Sequence, residues 1–380
     1  MVAGQRLTVV LAAMFFFCLL VRYNKVRPSF RSEVAMVAFV AILSVQAATA
    51  GNMYAVTAIG FLMRLFIGYA AIRLVPAFPG VYVRVLFWIS LLSWPFYAMN
   101  LLSHGLLAQW SLPLAGMIGV EDGTHILVHN FSFNQYRNSS FFWEPGALSA
   151  YLLLAVMFLG LERQRYDRRR YYVIAGVLSV TVITTMSTAG MLLLPVCLWG
   201  VSLVQRLALP RRGIVVLGGL LLLIACYAVL YRLETVGEKV RHQYASAFYR
   251  EGNWELTRFG SLLSDLEYIT LRPYFGWGLH SDTRYFLHGG ETLEGQGNGL
   301  SDFAAKFGLL GLGTYLLSAG AGIYQLTRRS AAKSALFVAF LVVVLNGEPL
   351  LNYPLYLGLM FLAPDPPGRA AAARGMVGGS

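Results

Sequence analysis

The chain has 380 residues, 57% of them hydrophobic and 13% charged, with a mean hydropathy of +0.60. That is more apolar surface than a water-soluble fold can hide, so the chain reads as an integral membrane protein. Its net charge of +12 is spread over loops between apolar runs, which argues against a nucleic-acid patch.

Crossing hydrocarbon as a helix takes about 20 apolar residues, because lipid offers no partner to an unpaired backbone group. On that basis an all-α, polytopic fold is predicted, with about ten to twelve transmembrane helices. They fall near residues 7–21, 34–50, 54–72, 85–102, 147–161, 172–187, 191–204, 214–231, 307–326, 335–345 and 350–362. The first and the last two are short. The final pair, broken by "NGEPLLN", also fits two half-spanning segments. The first run is read as a span and not as a cleaved signal, since charge follows it directly.

Basic residues gather in alternate loops: Arg22 to Arg31, Arg73 and Arg84, Arg163 to Arg170, Arg206 to Arg212, and Arg328 to Lys333. The positive-inside rule makes these loops cytoplasmic, in contact with anionic lipid heads. Two long segments, 103–143 and 232–306, then lie outside and hold nearly all the polar chemistry. The expected organisation is therefore N-terminal helices over 1–102, a first outer loop 103–143 and central helices over 144–231. A large outer loop 232–306, C-terminal helices over 307–363 and a disordered cytoplasmic tail 364–380 complete it. The same count leaves the N-terminus outside. No convincing repeat appears, which counts against duplicated transporter bundles.

Cys18, Cys197 and Cys226 all sit in apolar runs, so the outer loops offer no disulfide, metal site or thiol nucleophile. Neither a metal nor another cofactor is expected.

In the first outer loop, Pro145 suits the first turn of a helix and sets Glu144 at the helix start, where the helix dipole favours a carboxylate. A plain helix cap is one reading of Glu144. The other is chemistry, because Arg137 stands seven residues earlier with Phe141, Phe142 and Trp143 between them. Such aromatics serve as interface anchors and also stack on sugar rings.

In the second outer loop, Leu262, Leu263, Leu266 and Ile269 share one helical face while Asp265 and Arg272 point elsewhere, as in a helix lying on a bilayer surface. Pro273 stops it, and Gly276 and Gly278 allow a tight turn. Arg250, Arg258, Arg272 and Arg284 recur there among Asp265, Glu267, His280 and Asp282. A guanidinium fork matches phosphate oxygens, although solvation or pairing with nearby acids accounts for some of these residues. His280 is the plausible titrating base, one of several histidines predicted outside. Arg64 is a charge inside a span, with Glu348 as its expected partner, in either a structural bridge or a substrate cavity.

Taken together, these segments resemble the superfamily of bacterial O-antigen polymerases and O-antigen ligases. The likeness rests on "RNSSFFWEPGALSAYLLLA", then "TTMSTAGMLLLP", then "RPYFGWGL" followed by "GQGNGLSDFAAKFGLLGLGTYLL", in that order over roughly residues 130–325. The resemblance implies a metal-independent, GT-C type glycosyltransferase of the bacterial inner membrane. Its two large loops would face the periplasm, its donor and acceptor would be undecaprenyl diphosphate-linked oligosaccharides, and a protein that sets chain length would commonly be its partner. It points to Arg137 and Arg258 as functional arginines. Ligases of this superfamily commonly place a histidine beside an asparagine before the late helix. Here that place holds Gln296 and Asn298 and no histidine, which favours a polymerase.

In such a site Arg137 holds donor phosphate, while Glu144 either positions that arginine or takes the acceptor proton, with His280 as the other candidate base. Arg258, Arg272, Arg284, Asp265, Trp143, Asn298 and Arg64 are the candidate substrate contacts. The rival readings are a ligase acting on lipid A-core or protein, a lipid-linked oligosaccharide flippase or transporter, and a non-catalytic membrane scaffold.

Overall fold

The structure, a computed structural model, describes residues 30–50, 55–103, 125–126, 129–130, 136–204, 234–249, 257–280, 283, 298–327 and 329–362. The predicted helices at 7–21 and 214–231, the tail 364–380, and much of both predicted outer loops, with Arg250, Asp282, Arg284 and Gln296, lie outside the described residues. The chain forms two compact units, Met1–Phe78 with Lys239–Ser380, and Pro79–Glu238.

Among the described residues the protein is mostly helical; a two-residue antiparallel ladder pairs His125–Ile126 with His129–Asn130. In chain order the helices are α1 (Phe30–Ala50), α2 (Ala55–Leu74), α3 (Phe78–Leu102), α4 (Pro145–Leu161), α5 (Arg168–Thr184), α6 (Thr188–Val204), α7 (Glu234–Tyr249), α8 (Arg258–Leu271), α9 (Gly299–Leu326), α10 (Ala331–Gly347) and α11 (Pro354–Gly358). Four of them, α1, α2, α3 and α9, are long and apolar enough to cross a membrane by length and composition, and α4, α6 and α10 are shorter apolar helices. Exposed apolar stripes fit that reading. On α3, Val81, Val85, Trp88 and Leu92 recur at helical spacing and all stand open, an arrangement that water penalises and hydrocarbon does not.

In the Pro79–Glu238 unit, α4 is buried from Pro145 to Gly160 between α5 and α6. A helix apolar on every side has no solvent face, so it becomes the axis that its neighbours surround. Tyr82 of α3 donates to the carbonyl of Tyr151 at 3.0 Å and ties α3 to that axis.

In the other unit, α9 packs on α1, α8 and α10 around Phe39, Phe61, Phe303 and Phe307, whose ring centroids lie 4.5 to 6.0 Å apart. The predicted helix 307–326 in fact begins at Gly299, because Asn298 caps it there with Oδ1 accepting from Ser301 N at 3.2 Å. It is also broken at Gly308, whose φ of 69° and ψ of 179° leave the helical region.

The "RPYFGWGL" turn fills that break. Trp277 N and Gly278 N donate to the carbonyls of Ala305 and Lys306 at 2.9 and 3.0 Å, while Leu309 N and Leu310 N donate to those of Pro273 and Tyr274 at 2.7 and 3.3 Å. Gln46 of α1 adds Nε2 bonds to the carbonyls of Phe275 and Lys306 at 2.5 and 2.7 Å. Backbone groups freed by the kink are thus satisfied by the turn, as a polar group in an apolar setting requires. Side chains are excluded at both crossing points: a Cβ on Gly276 would meet the Lys306 carbonyl at 2.5 Å, and one on Gly308 would run into that of Tyr274.

The predicted helix 350–362 is not continuous. It consists of a 3-10 turn at Leu350–Asn352, the short α11 and a second 3-10 turn at Leu359–Phe361. Pro349 and Pro354 interrupt the ladder, and Tyr353 between them is extended. The segment is nonetheless buried, packed on α2 where Gly68 and Gly358 approach so closely that a Cβ on either would strike the other's backbone.

On α8 the apolar face is outermost. Leu263 and Leu266 are 43% and 46% exposed while Asp265 is 1% exposed, the reverse of a helix folded for water.

Candidate functional site

Two polar clusters are built from the residues that the sequence singles out, one in each unit.

In the Pro79–Glu238 unit, "RNSSFFWEPG" and "TTMST" meet. Asn138 N donates to the Thr184 carbonyl at 2.9 Å, and Asn138 Nδ2 donates to Ser93 Oγ and Thr184 Oγ1, both at 3.1 Å. Its Oδ1 accepts from Ser140 N at 2.9 Å. This buried asparagine spends its hydrogen-bonding capacity on fixing the loop, and Arg137 beside it donates through Nε to the Thr185 carbonyl at 3.3 Å. Both turns carry left-handed residues, Ser140 and Met186, each with φ of 50°. Such backbone costs about 1–3 kcal/mol and persists only where surrounding contacts impose it. Phe141 and Phe142 stack at 4.7 Å, and Trp143 packs near Phe142 and Tyr151.

Glu144 takes the N-cap position of α4 with extended backbone, followed by Pro145, as expected. It does not cap: its side chain makes no hydrogen bond to the helix N-terminus. Oε1 is buried with no hydrogen-bond partner among the described residues, and Glu144 forms no ion pair with Arg137. The plain-cap reading is therefore corrected, and so is the reading in which Glu144 positions Arg137. A buried, unsatisfied acceptor is a costly arrangement that native folds rarely keep without use.

The second cluster lies in the unit of Met1–Phe78 and Lys239–Ser380. Here Arg258, the first residue of α8, forms an ion pair with Glu348, the C-cap of α10. This corrects the expectation that Glu348 answers Arg64. The Arg64 guanidinium instead donates to the Asn352 carbonyl at 3.3 Å, so the broken segment after α10 supplies its partner. Asp265 accepts from Ser301 Oγ at 2.6 Å, and Asp302 pairs with Lys306 at 2.5 Å while Lys306 reaches Asn352 Oδ1 at 3.3 Å.

The remaining candidates have structural partners. Arg272 lies over the Trp277 ring at 4.1 Å, a cation–π contact, and Asn298 is the α9 cap. His280 is half-buried after the glycine turn, its carbonyl accepting from Thr283 N and Oγ1 at 3.2 and 2.6 Å.

Gln46, Asn138, Asp302, Lys306 and Asn352 were not among the sequence candidates. The signal for the Asp302–Lys306 pair was present, since opposite charges four residues apart in an otherwise apolar helix mark a buried pair. For Asn138 nothing local distinguished it from any loop asparagine. Among the described residues no cluster of His, Cys, Asp or Glu could hold a metal ion.

No protein-family model matches the chain, and a search of curated proteins finds no significant match. The class that fold and composition define is a mostly helical protein with apolar helices compatible with a membrane.

Proposed function

We propose that this protein is a polysaccharide polymerase of the bacterial inner membrane. It would transfer a growing glycan from undecaprenyl diphosphate onto the sugar end of a second lipid-linked repeat unit, at the periplasmic face. In this reading the fold is GT-C type, with about ten to twelve spans and two periplasmic loops, and a chain-length regulator is a natural protein partner.

The carrying observation is Glu144: a carboxylate oxygen buried without a partner, on the same short loop as Arg137. An acceptor hydroxyl would supply the missing hydrogen bond and then its proton. As the hydroxyl oxygen bonds to the anomeric carbon, the bond from that carbon to the diphosphate breaks with its electron pair. The hydroxyl proton passes to the Glu144 carboxylate, and the carrier leaves as undecaprenyl diphosphate. Arg137 offers charge to the developing diphosphate, the kind of fixed electrostatic support that lowers such barriers most.

Placement supports the reading too. Arg137 and Glu144 lie at the C-terminal end of α5 and the N-terminal end of α4, whereas the arginines at 163–170 lie at the opposite ends of the same helices. Each helix of 17 residues rises about 25 Å, comparable to the hydrocarbon thickness of a bilayer. Basic residues at one end and the Arg137–Glu144 loop at the other is the polarity expected of an outward-facing site. Arg137 and Asn138, which open the "RNSSFFWEPG" stretch, bond to Thr185 and Thr184 of "TTMST", an arrangement that suits one site of the resembled superfamily.

The test supplies purified protein with a synthetic diphosphate-linked repeat unit and follows the product ladder. A ladder from wild type that is lost in well-folded Glu144→Gln supports the proposal. A single addition to a lipid A-core acceptor, with no ladder, replaces it with a ligase.

A further inference from the structure

A second site lies at the basic end of the Pro79–Glu238 unit. Arg84, Phe87 and Trp88 occupy one face of α3 at i, i+3 and i+4. Tyr166, the cap residue Asp167, Arg169, Arg170, Val173 and Ile174 come from the start of α5 and the turn before it. Together they line an open groove of about 320 Å³. Arg84, Arg169 and Arg170 are exposed, and none of the three has an ion-pair partner among the described residues. Trp88 is 56% and Val173 51% exposed, so the other half of the groove is an open apolar wall.

The arginines outnumber the acids near them. Asp167 caps α5, its Oδ1 accepting from Arg170 N at 2.8 Å, and its one negative charge leaves the groove lining net positive against Arg84, Arg169 and Arg170. Glu162 is paired with Arg165 at 2.6 Å, and Arg163 stacks over Tyr171 at 4.3 Å. Tyr166 remains a neutral hydroxyl donor, since burial pushes its phenol above the ordinary range and Glu162 pushes the same way, against Arg84, Arg170 and Arg165.

Three cations beside an exposed aromatic and aliphatic wall suit neither a free ion, which would leave the wall bare, nor an apolar ligand, which would strand the charges. A ligand with a phosphate joined directly to acyl chains answers both halves. We propose that this groove binds an anionic glycerophospholipid. The three guanidinium groups hold its phosphate, and Phe87, Trp88 and Val173 line the glycerol and the first methylenes. Basic pockets flanked by membrane helices take such headgroups, and an arginine fork matches phosphate oxygens better than a point charge does. The groove lies about 25 Å along α5 from the Arg137 loop, so lipid binding is independent of any reaction there.

Native mass spectrometry of the full chain, released from detergent after incubation with phosphatidylglycerol or phosphatidylcholine, tests this. Phosphatidylglycerol adducts are expected to be preferred by about 10–100-fold, and Arg84→Gln/Arg169→Gln/Arg170→Gln should remove the preference. Trp88→Ala should weaken phosphatidylglycerol binding and leave the weak binding of glycerol phosphate unchanged. Equal retention of the two lipids, a preference that survives the triple substitution, or inorganic phosphate binding as tightly as the lipid would overturn the proposal. Should the triple variant fail to fold, wild type is labelled with a phosphatidylglycerol carrying a photoreactive group near the glycerol. Crosslinks confined to 84–88 and 166–174 support the site, and their absence from both refutes it.

Discussion

The two arginine–carboxylate regions use the same residue types in opposite ways. In one unit, Arg258 and Glu348 answer each other directly, and the surrounding Asp265, Ser301, Asp302, Lys306 and Asn352 are linked by hydrogen bonds and an ion pair. In the other, Arg137 leans on a backbone carbonyl and Glu144 keeps an oxygen buried with no hydrogen-bond partner among the described residues. The first arrangement meets its charge requirements internally, so it holds the fold. The second leaves a hydrogen-bonding requirement open that a ligand can fill, which is why the proposed reaction is set there. Charged residues in apolar surroundings are therefore not equivalent signs of function; what distinguishes them is whether the protein itself completes their hydrogen bonding.

The two regions differ most at Glu144. Glu144→Gln should lower polymer formation by about 10²–10⁴, the range for a lost general base, while thermal unfolding in detergent stays level, because the Glu144 side chain makes no hydrogen bond among the described residues that the amide would lose. If activity stayed and stability fell, Glu144 would belong with Glu348 and the distinction would collapse. Arg137→Ala should reduce turnover by about 10²–10³, as for other lost transition-state donors. Arg137→Lys should recover only part of that, because a single ammonium cannot match two phosphate oxygens at fixed spacing.

Stability measurements address the other region. Gly308→Ala puts a side chain at positive φ and into the Tyr274 carbonyl, so a loss of about 2–3 kcal/mol is expected in denaturant unfolding. Glu348→Ala should cost about 1–3 kcal/mol, less than a wholly buried pair because Arg258 reaches solvent. Replacing both partners, as Arg258→Met with Glu348→Leu, should restore most of that stability, and a double variant as unstable as the single one would mean the pair is not the unit that matters. The smallest effect is expected at the α9 cap, where Asn298→Ala should lose about 1 kcal/mol; an unchanged melting temperature there would shift the start of α9 away from Asn298.

Much of the helical framework was legible in the residues. Runs at 34–50, 54–72, 147–161 and 191–204 fall within a few residues of α1, α2, α4 and α6, since backbone in apolar surroundings must bond to itself and length is then read directly from apolarity. Ends were less legible. α3 begins at Phe78 and not near 85, because Pro79 fits a first helical turn; α9 begins early because a cap at Asn298 outweighs the two charges that follow. The segment 350–362 misled by its composition, since apolar residues buried in short turns look the same as apolar residues in a helix.

At the sites, the sequence alone determined the chemistry available: a carboxylate before a helix-starting proline, an arginine seven residues earlier, glycines where backbones cross, and arginines clustered at alternate ends of apolar runs. These are local properties, fixed by residue type and spacing. The partners come from how the helices pack. Arg258 and Glu348 are 90 residues apart, Arg64 and Asn352 288, and Arg137 and Thr185 48. No periodicity within one helix encodes a pairing across such separations, because it depends on which helices pack together and at what height. Whether Glu144 caps its helix, pairs with an arginine or waits for a hydroxyl is decided by that packing and not by its neighbours in the chain.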